Sequence, residues 1–126
     1  MADKLSVLYV EDEADIRAVT EFALEEGFQL ILCCNGQEAL DKARNVIPDL
    51  LLLDVMMPGI DGPTTLARLR EIAGYEHIPA IFMTAKVQPQ EVKQLIELGV
   101  LGVIPKPFDP LTLADQIHSL LKREHG

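Results

Sequence analysis

The chain is expected to fold as a doubly wound α/β domain, a parallel sheet sandwiched between helices, and three observations predict this. Five short apolar runs recur along the 126 residues, helical patterns fill every gap between them, and several runs lack the alternation of a half-solvated sheet. Strict strand–helix alternation implies right-handed crossovers and parallel strands covered on both faces. With 48% apolar residues the chain can build one sizeable core and still carry a pocket without a second domain.

The first run, LSVLYV at residues 5–10, precedes a helix in which Ile16, Val19, Phe22 and Ala23 fall at helical spacing, with Asp15, Arg17, Glu21 and Glu25 on the opposite, solvated side. The second, FQLILCC at 28–34, leads into NGQE. There Asn35 can cap free amides, Glu38 stands three residues on, and Ala39, Leu40 and Ala43 point inward before Pro48 ends the segment. The third, LLLLD at 50–54, delivers a single carboxylate at the end of four leucines. Turn chemistry in MPGIDG follows, and Asp61 caps the next helix. The fourth, IPAIFMT at 78–84, is followed by a helix opening at QPQE, with Pro89 in its first turn, and closing at Gly99. The fifth, VLGVIP at 100–105, leads to a last helix with Asp109 as cap and Pro110 as first residue. That helix places Leu113, Ala114, Ile117, Leu120 and Leu121 on one face, and KREHG frays at its end. No linker, repeat or low-complexity segment interrupts the pattern, so residues 1–126 are expected to form one domain.

Twenty acids against eleven bases give a formal charge of -9, which argues against nucleic acid or an anionic membrane as principal partner, since both present negative charge. The apolar runs are too short for a membrane span and the N-terminus lacks a secretory signal, so a cytoplasmic location is expected. Cys33 and Cys34 are adjacent on a strand, where side chains point to opposite faces, so a mutual disulfide is not expected and ordinary packing is.

In a doubly wound sheet the functional crevice lies outside the carboxyl ends of the strands. Those ends carry Glu11 and Asp12, Asp54, Thr84 and Lys106. Two unit charges about 4 Å apart repel by about 4 kcal/mol at an effective dielectric of 20, so three converging carboxylates cost on the order of 10 kcal/mol without compensation. A hard divalent ion that takes oxygen ligands, Mg²⁺ rather than Zn²⁺, suits such a set, because none of His77, His118 or His125 lies at these ends. The remaining groups suit phosphoryl transfer: Asp54 as a nucleophile able to form an aspartyl-phosphate, Lys106 as a positive point charge, and Thr84 as a hydroxyl donor. Each of these residues alone has a plainer reading, Asp54 or Asp12 as a cap, Thr84 as a satisfied hydroxyl, Lys106 as a surface lysine. Their joint placement favours the site.

With VEDE after the first strand, LLLLDVMMPGIDG around the third, TA after the fourth and KPF after the fifth, the chain resembles, over nearly its whole length, the receiver domain of two-component response regulators, of the chemotaxis-regulator kind. The resemblance implies a flavodoxin-like (βα)5 fold with strand order 2-1-3-4-5 and helices on both faces. It makes Asp54 the phosphoacceptor, charged by a sensor histidine kinase or a histidine phosphotransfer protein in a Mg²⁺-dependent reaction. Asp12 would ligate Mg²⁺ directly, Glu11 mainly through water, and the backbone carbonyl of Met56 would complete the set with Asp54. Thr84 and Lys106 would bind phosphoryl oxygens, the Lys106–Pro107 bond would be cis, and the small Ala85 would leave access to the phosphoryl group. Such a domain catalyses only its own phosphorylation and dephosphorylation, and signals to a downstream protein through its fourth helix, fifth strand and fifth helix. The family's switch pairs the threonine with an aromatic residue three positions before the lysine. Here Val103 stands there, with neither ring nor hydroxyl to move between exposed and buried rotamers.

Two further classes compete with an output receiver and a phosphorelay shuttle. A phosphatase of the haloacid dehalogenase type needs a second acid two residues after the nucleophile, where this chain has Met56. A flavodoxin-like cofactor binder needs a hydroxyl- and amide-rich loop after the first strand, where EDEAD would repel a phosphate.

Overall fold

In the computed structural model, which describes residues 4–125, five strands and five helices alternate as expected. They are β1 (Leu5–Val10), α1 (Ala14–Leu24), β2 (Phe28–Cys33), α2 (Gly36–Ala43), β3 (Leu50–Asp54), α3 (Gly62–Leu69), β4 (Ala80–Thr84), α4 (Pro89–Ile96), β5 (Gly102–Pro105) and α5 (Leu113–His125). All neighbouring strands are parallel, in the order β2-β1-β3-β4-β5.

The leucine run explains why β3 is central. Every residue of β3, and every residue of β4, is buried, which is what a strand covered on both faces requires. Successive side chains then serve opposite layers. Leu51 and Leu53 join Leu8, Val10 and Phe82 in a cluster closed by Ala39, Ala43, Leu66 and Leu69 of α2 and α3. Leu50 and Leu52 join Val7, Tyr9, Ile81 and Met83 in a second cluster closed by Leu24 of α1 and Leu113 and Ile117 of α5. Each fully buried leucine contributes about 2 kcal/mol.

Local chemistry sets the helix starts. Asn35 accepts a hydrogen bond from the Glu38 backbone N–H at 2.7 Å, while Glu38 accepts one from the Cys34 N–H at 2.6 Å, a reciprocal cap at the head of α2. Asp61 caps α3 by accepting from the Thr64 N–H at 2.8 Å. α4 begins with Pro89, and its last turn tightens through bonds from Leu98 and Gly99 to the carbonyls of Leu95 and Ile96. Gly99 itself takes a φ of 90°, the left-handed conformation that ends a helix cheaply at glycine. No residue of α4 is buried, unlike the other four helices.

Several expectations need correcting. On α1, Val19 and Phe22 face solvent, with Phe22 76% exposed, and the buried positions are Thr20 and Leu24. Thr20 can sit inside because its hydroxyl donates to the Ile16 carbonyl at 2.8 Å and pairs with the Tyr9 hydroxyl at 2.9 Å. Arg17, assigned to the solvated side, is half-buried. α5 starts at Leu113 rather than Pro110, because Asp109 caps a separate turn instead, accepting from the Leu111 N–H at 2.9 Å. It continues to His125, so the fraying expected from Lys122 onward is not seen there, and Gly126 lies outside the described residues. β4 and β5 each begin two residues later than their apolar runs. Cys33 is buried, Cys34 is exposed just past β2, and both are free thiols.

Candidate functional site

Parallel strands in register bring their carboxyl ends to one edge. Val10 pairs with Leu53, Asp54 with Met83 and Thr84 with Pro105, so the residues at or just after each of these ends are neighbours. Bonds past the strand ends hold them there: Glu11 N–H to the Cys33 carbonyl, Val55 N–H to Met83, and Lys106 N–H to Thr84, at 3.0, 3.1 and 2.9 Å. Gly62 lets the loop after β3 fold back tightly. Its N–H donates to the Val55 carbonyl at 2.8 Å, and a Cβ there would lie 2.3 Å from the Asp54 carbonyl oxygen.

Lys106 is the centre of the arrangement. Its Nζ donates to Glu11 Oε1 at 2.7 Å and to Asp54 Oδ1 at 2.9 Å, two ion pairs almost wholly withdrawn from water. The Lys106–Pro107 peptide is cis, as the resemblance implied. Glu11 is fully buried, and its second oxygen accepts from the Glu13 N–H at 3.2 Å. Asp54 is only 4% exposed and Thr84 is buried, whereas Asp12 is half-buried. Thr84 Oγ1 accepts from the Lys86 N–H at 3.0 Å. Met56 lines the same cleft of about 360 Å³ as Asp54, Thr84, Ala85 and Lys106, with its side chain largely exposed.

The electrostatics follow from three acids meeting one amine. Burial pushes the Asp54 carboxyl above its ordinary pKa, and the Lys106 hydrogen bond offsets this only in part. Glu11 is raised for the same reason. Burial alone would lower Lys106, but its bonds to the two carboxylates outweigh that and leave it raised. One carboxylate oxygen from each of Glu11, Asp12 and Asp54 lies within 4.8 Å of the others. A net negative, oxygen-only donor set of this kind fits a hard divalent cation such as Mg²⁺, and among the described residues no histidine or cysteine belongs to it. His118 is on α5, stacked on Phe28 with ring centroids 4.9 Å apart.

Every residue named at the strand ends is therefore brought to one edge. The reading missed Arg17, whose Nη1 donates to the Glu11 carbonyl at 2.7 Å. It also missed the direct Lys106–Glu11 pair. The signal for the lysine was present, since three acids facing one amine leave it more than one partner. Val103 lies opposite Phe82 in the β4–β5 register and packs, half-buried, against the same apolar cluster as Leu95 of α4.

Comparison with known proteins agrees. The sequence model of the response regulator receiver domain matches residues 7–118. The chain is 35% identical over 128 residues to response regulator Rre1 of Synechocystis sp., covering 100% of this chain and 55% of that protein. It is 38% identical over 120 residues to the transcriptional regulatory protein CpxR of Escherichia coli, covering 94% and 50% respectively. The chain thus spans about half the length of the curated relatives it matches. Among solved structures, the chemotaxis protein CheY4 of Vibrio cholerae aligns with a TM-score of 0.86 at 28% identity, over 94% of this chain and 99% of that one. A putative response regulator from Chloroflexus aurantiacus aligns with a TM-score of 0.85 at 29% identity, over 96% and 100%. Since the family match runs from within β1 to within α5 and these solved structures share the fold, the chain belongs to the response regulator receiver domains, the signalling domains of two-component systems.

Proposed function

We propose that residues 1–126 act as one receiver unit in which Asp54 accepts a phosphoryl group from the phosphohistidine of a sensor histidine kinase or of a histidine phosphotransfer protein. The observation that carries this is the Asp54 carboxylate at the cleft, bonded to Lys106 at 2.9 Å, with oxygens of Glu11 and Asp12 within 4.8 Å. An Asp54 oxygen attacks phosphorus, the new O–P bond forms as the donor's N–P bond breaks, and the imidazole leaves. Glu11, Asp12, Asp54 and the backbone carbonyl of Met56 would hold Mg²⁺, which when bound supplies charge neutralisation to the phosphoryl oxygens. Lys106 turns from Asp54 toward a phosphoryl oxygen, and the Thr84 hydroxyl, at the same cleft, donates to another. The small Ala85 keeps that side of the cleft open.

The output is a protein contact on the face of α4, β5 and α5. CpxR and its like are named transcriptional regulatory proteins, but the charge of -9 makes this segment itself a poor reader of DNA. Among the described residues no helix is long and apolar enough to cross a membrane.

The test is labelling with a small phosphodonor, or binding of beryllofluoride as a phosphoryl mimic, in the presence of Mg²⁺. Wild type is modified and Asp54→Asn is not. Modification that survives Asp54→Asn undiminished would remove Asp54 from the role.

A further inference from the structure

We infer that Arg17 is a positioning residue for the acidic pair, acting through the peptide that joins them. Resting on the metal-site reading above, this assigns to an α1 side chain the task of orienting Asp12 and Glu11 toward a divalent cation. Three residues connect β1 to α1, and α1 lacks a side-chain cap at Glu13. Upstream, this link is tied to β2 by Glu11 N–H to the Cys33 carbonyl. Downstream, Arg17 ties it twice: its N–H bonds the Glu13 carbonyl at 3.0 Å, and its Nη1 bonds the Glu11 carbonyl at 2.7 Å.

The second bond is the one that grips the peptide itself; beside it the Glu13 N–H reaches only the Glu11 side chain, at Oε2 and 3.2 Å. Asp12 is half-buried, and among the described residues its carboxylate accepts no hydrogen bond, so its direction is set by its backbone. The Glu11 carbonyl belongs to the peptide unit between the two acids. A planar peptide clamped at its oxygen cannot rotate without breaking a charge-assisted bond. Groups that orient metal ligands in this indirect way typically matter about 10–100-fold for metal affinity.

The sign of the effect separates positioning from mere proximity. A guanidinium beside an acidic site repels a divalent cation, so deleting its charge should tighten Mg²⁺ binding if charge is all it contributes. Positioning predicts the opposite. We expect Arg17→Met to weaken Mg²⁺ binding about tenfold, followed by backbone amide NMR titration of the full chain. Arg17→Lys, which keeps the charge and one donor, should fall between it and wild type. In metal-free protein the Glu13 amide of Arg17→Met, bonded to Glu11 Oε2, should exchange hydrogen faster, while those in the middle of β3 keep their protection.

Equal or tighter Mg²⁺ binding by Arg17→Met, with Asp12→Asn still abolishing binding, overturns the positioning role and leaves the metal site standing. Absence of saturable Mg²⁺ binding by wild type overturns both. If Arg17→Met does not fold, Arg17→Lys decides alone: affinity equal to wild type, with unchanged exchange at Glu13, overturns the proposal.

Discussion

Asp54 is held where its charge is useful and uncomfortable. Three carboxylates crowd together while Lys106 pairs with only two of them, Glu11 and Asp54, and burial raises the Asp54 pKa above that of the unfolded chain. A folded pKa above the unfolded one means that the native state binds the proton more tightly. Asp54 therefore costs least below the unfolded carboxylate range, and its cost grows as pH rises through that range to the folded value. We expect Asp54→Asn to be more stable than wild type at neutral pH by about 1 kcal/mol, about 4 °C in thermal midpoint without Mg²⁺. The gap should narrow as pH falls from neutral into the unfolded carboxylate range, where wild type also takes up the proton. Thermal melts at neutral pH and in that range check this; a less stable variant at neutral pH would refute it. The strand-end residues were legible because a carboxylate after four leucines has no packing role to play. Arg17 was not, because its contact is to a backbone carbonyl, and no residue-type pattern announces an acceptor that every residue possesses.

At the level of single elements, α1 shows how a helical face can be misread. Phe22 and Val19 are apolar and correctly spaced, yet the helix is rotated so that Thr20 and Leu24 lie inside. A threonine reads as polar until the Tyr9 hydroxyl waiting for it is seen, and that partner is eleven residues away on another element. Leu24→Ala should then cost about 3 kcal/mol, because it opens a cavity in the second cluster, which Leu24 shares with Phe28 and Leu52. Phe22→Ala should cost under about 0.5 kcal/mol. Denaturant midpoints of the two variants measure the rotation of α1 directly, and equal losses would contradict the packing described. Element order and strand identity were recoverable because unalternating apolar runs leave few alternatives. The starts of β4, β5 and α5 were not, because an apolar residue such as Val100 can be buried in a loop just before a strand.

For the molecule as a whole, the sheet works as a rigid comb. β3 and β4 are buried along their full length, and the register of β1, β3, β4 and β5 decides which side chains meet at the cleft. Four of the helices pin themselves to this comb by at least one fully sheltered side chain, whereas α4 has none. That difference divides the protein by how it comes apart. Amides in β3 are released only when the whole domain opens, whereas those of α4 are released by a local event of much smaller free energy. Native-state hydrogen exchange should rank α4 fastest among the helices, at least about tenfold faster than the middle of α3, with little dependence on global destabilisation. Protection of α4 matching that of β3 would disprove the division. A segment already poised to melt by itself needs little work to be re-seated, and α4 starts just after the Thr84 loop. Even with Val103 in place of an aromatic ring, this receiver keeps one inexpensive moving part, a helix whose folding is separable from that of the sheet beneath it.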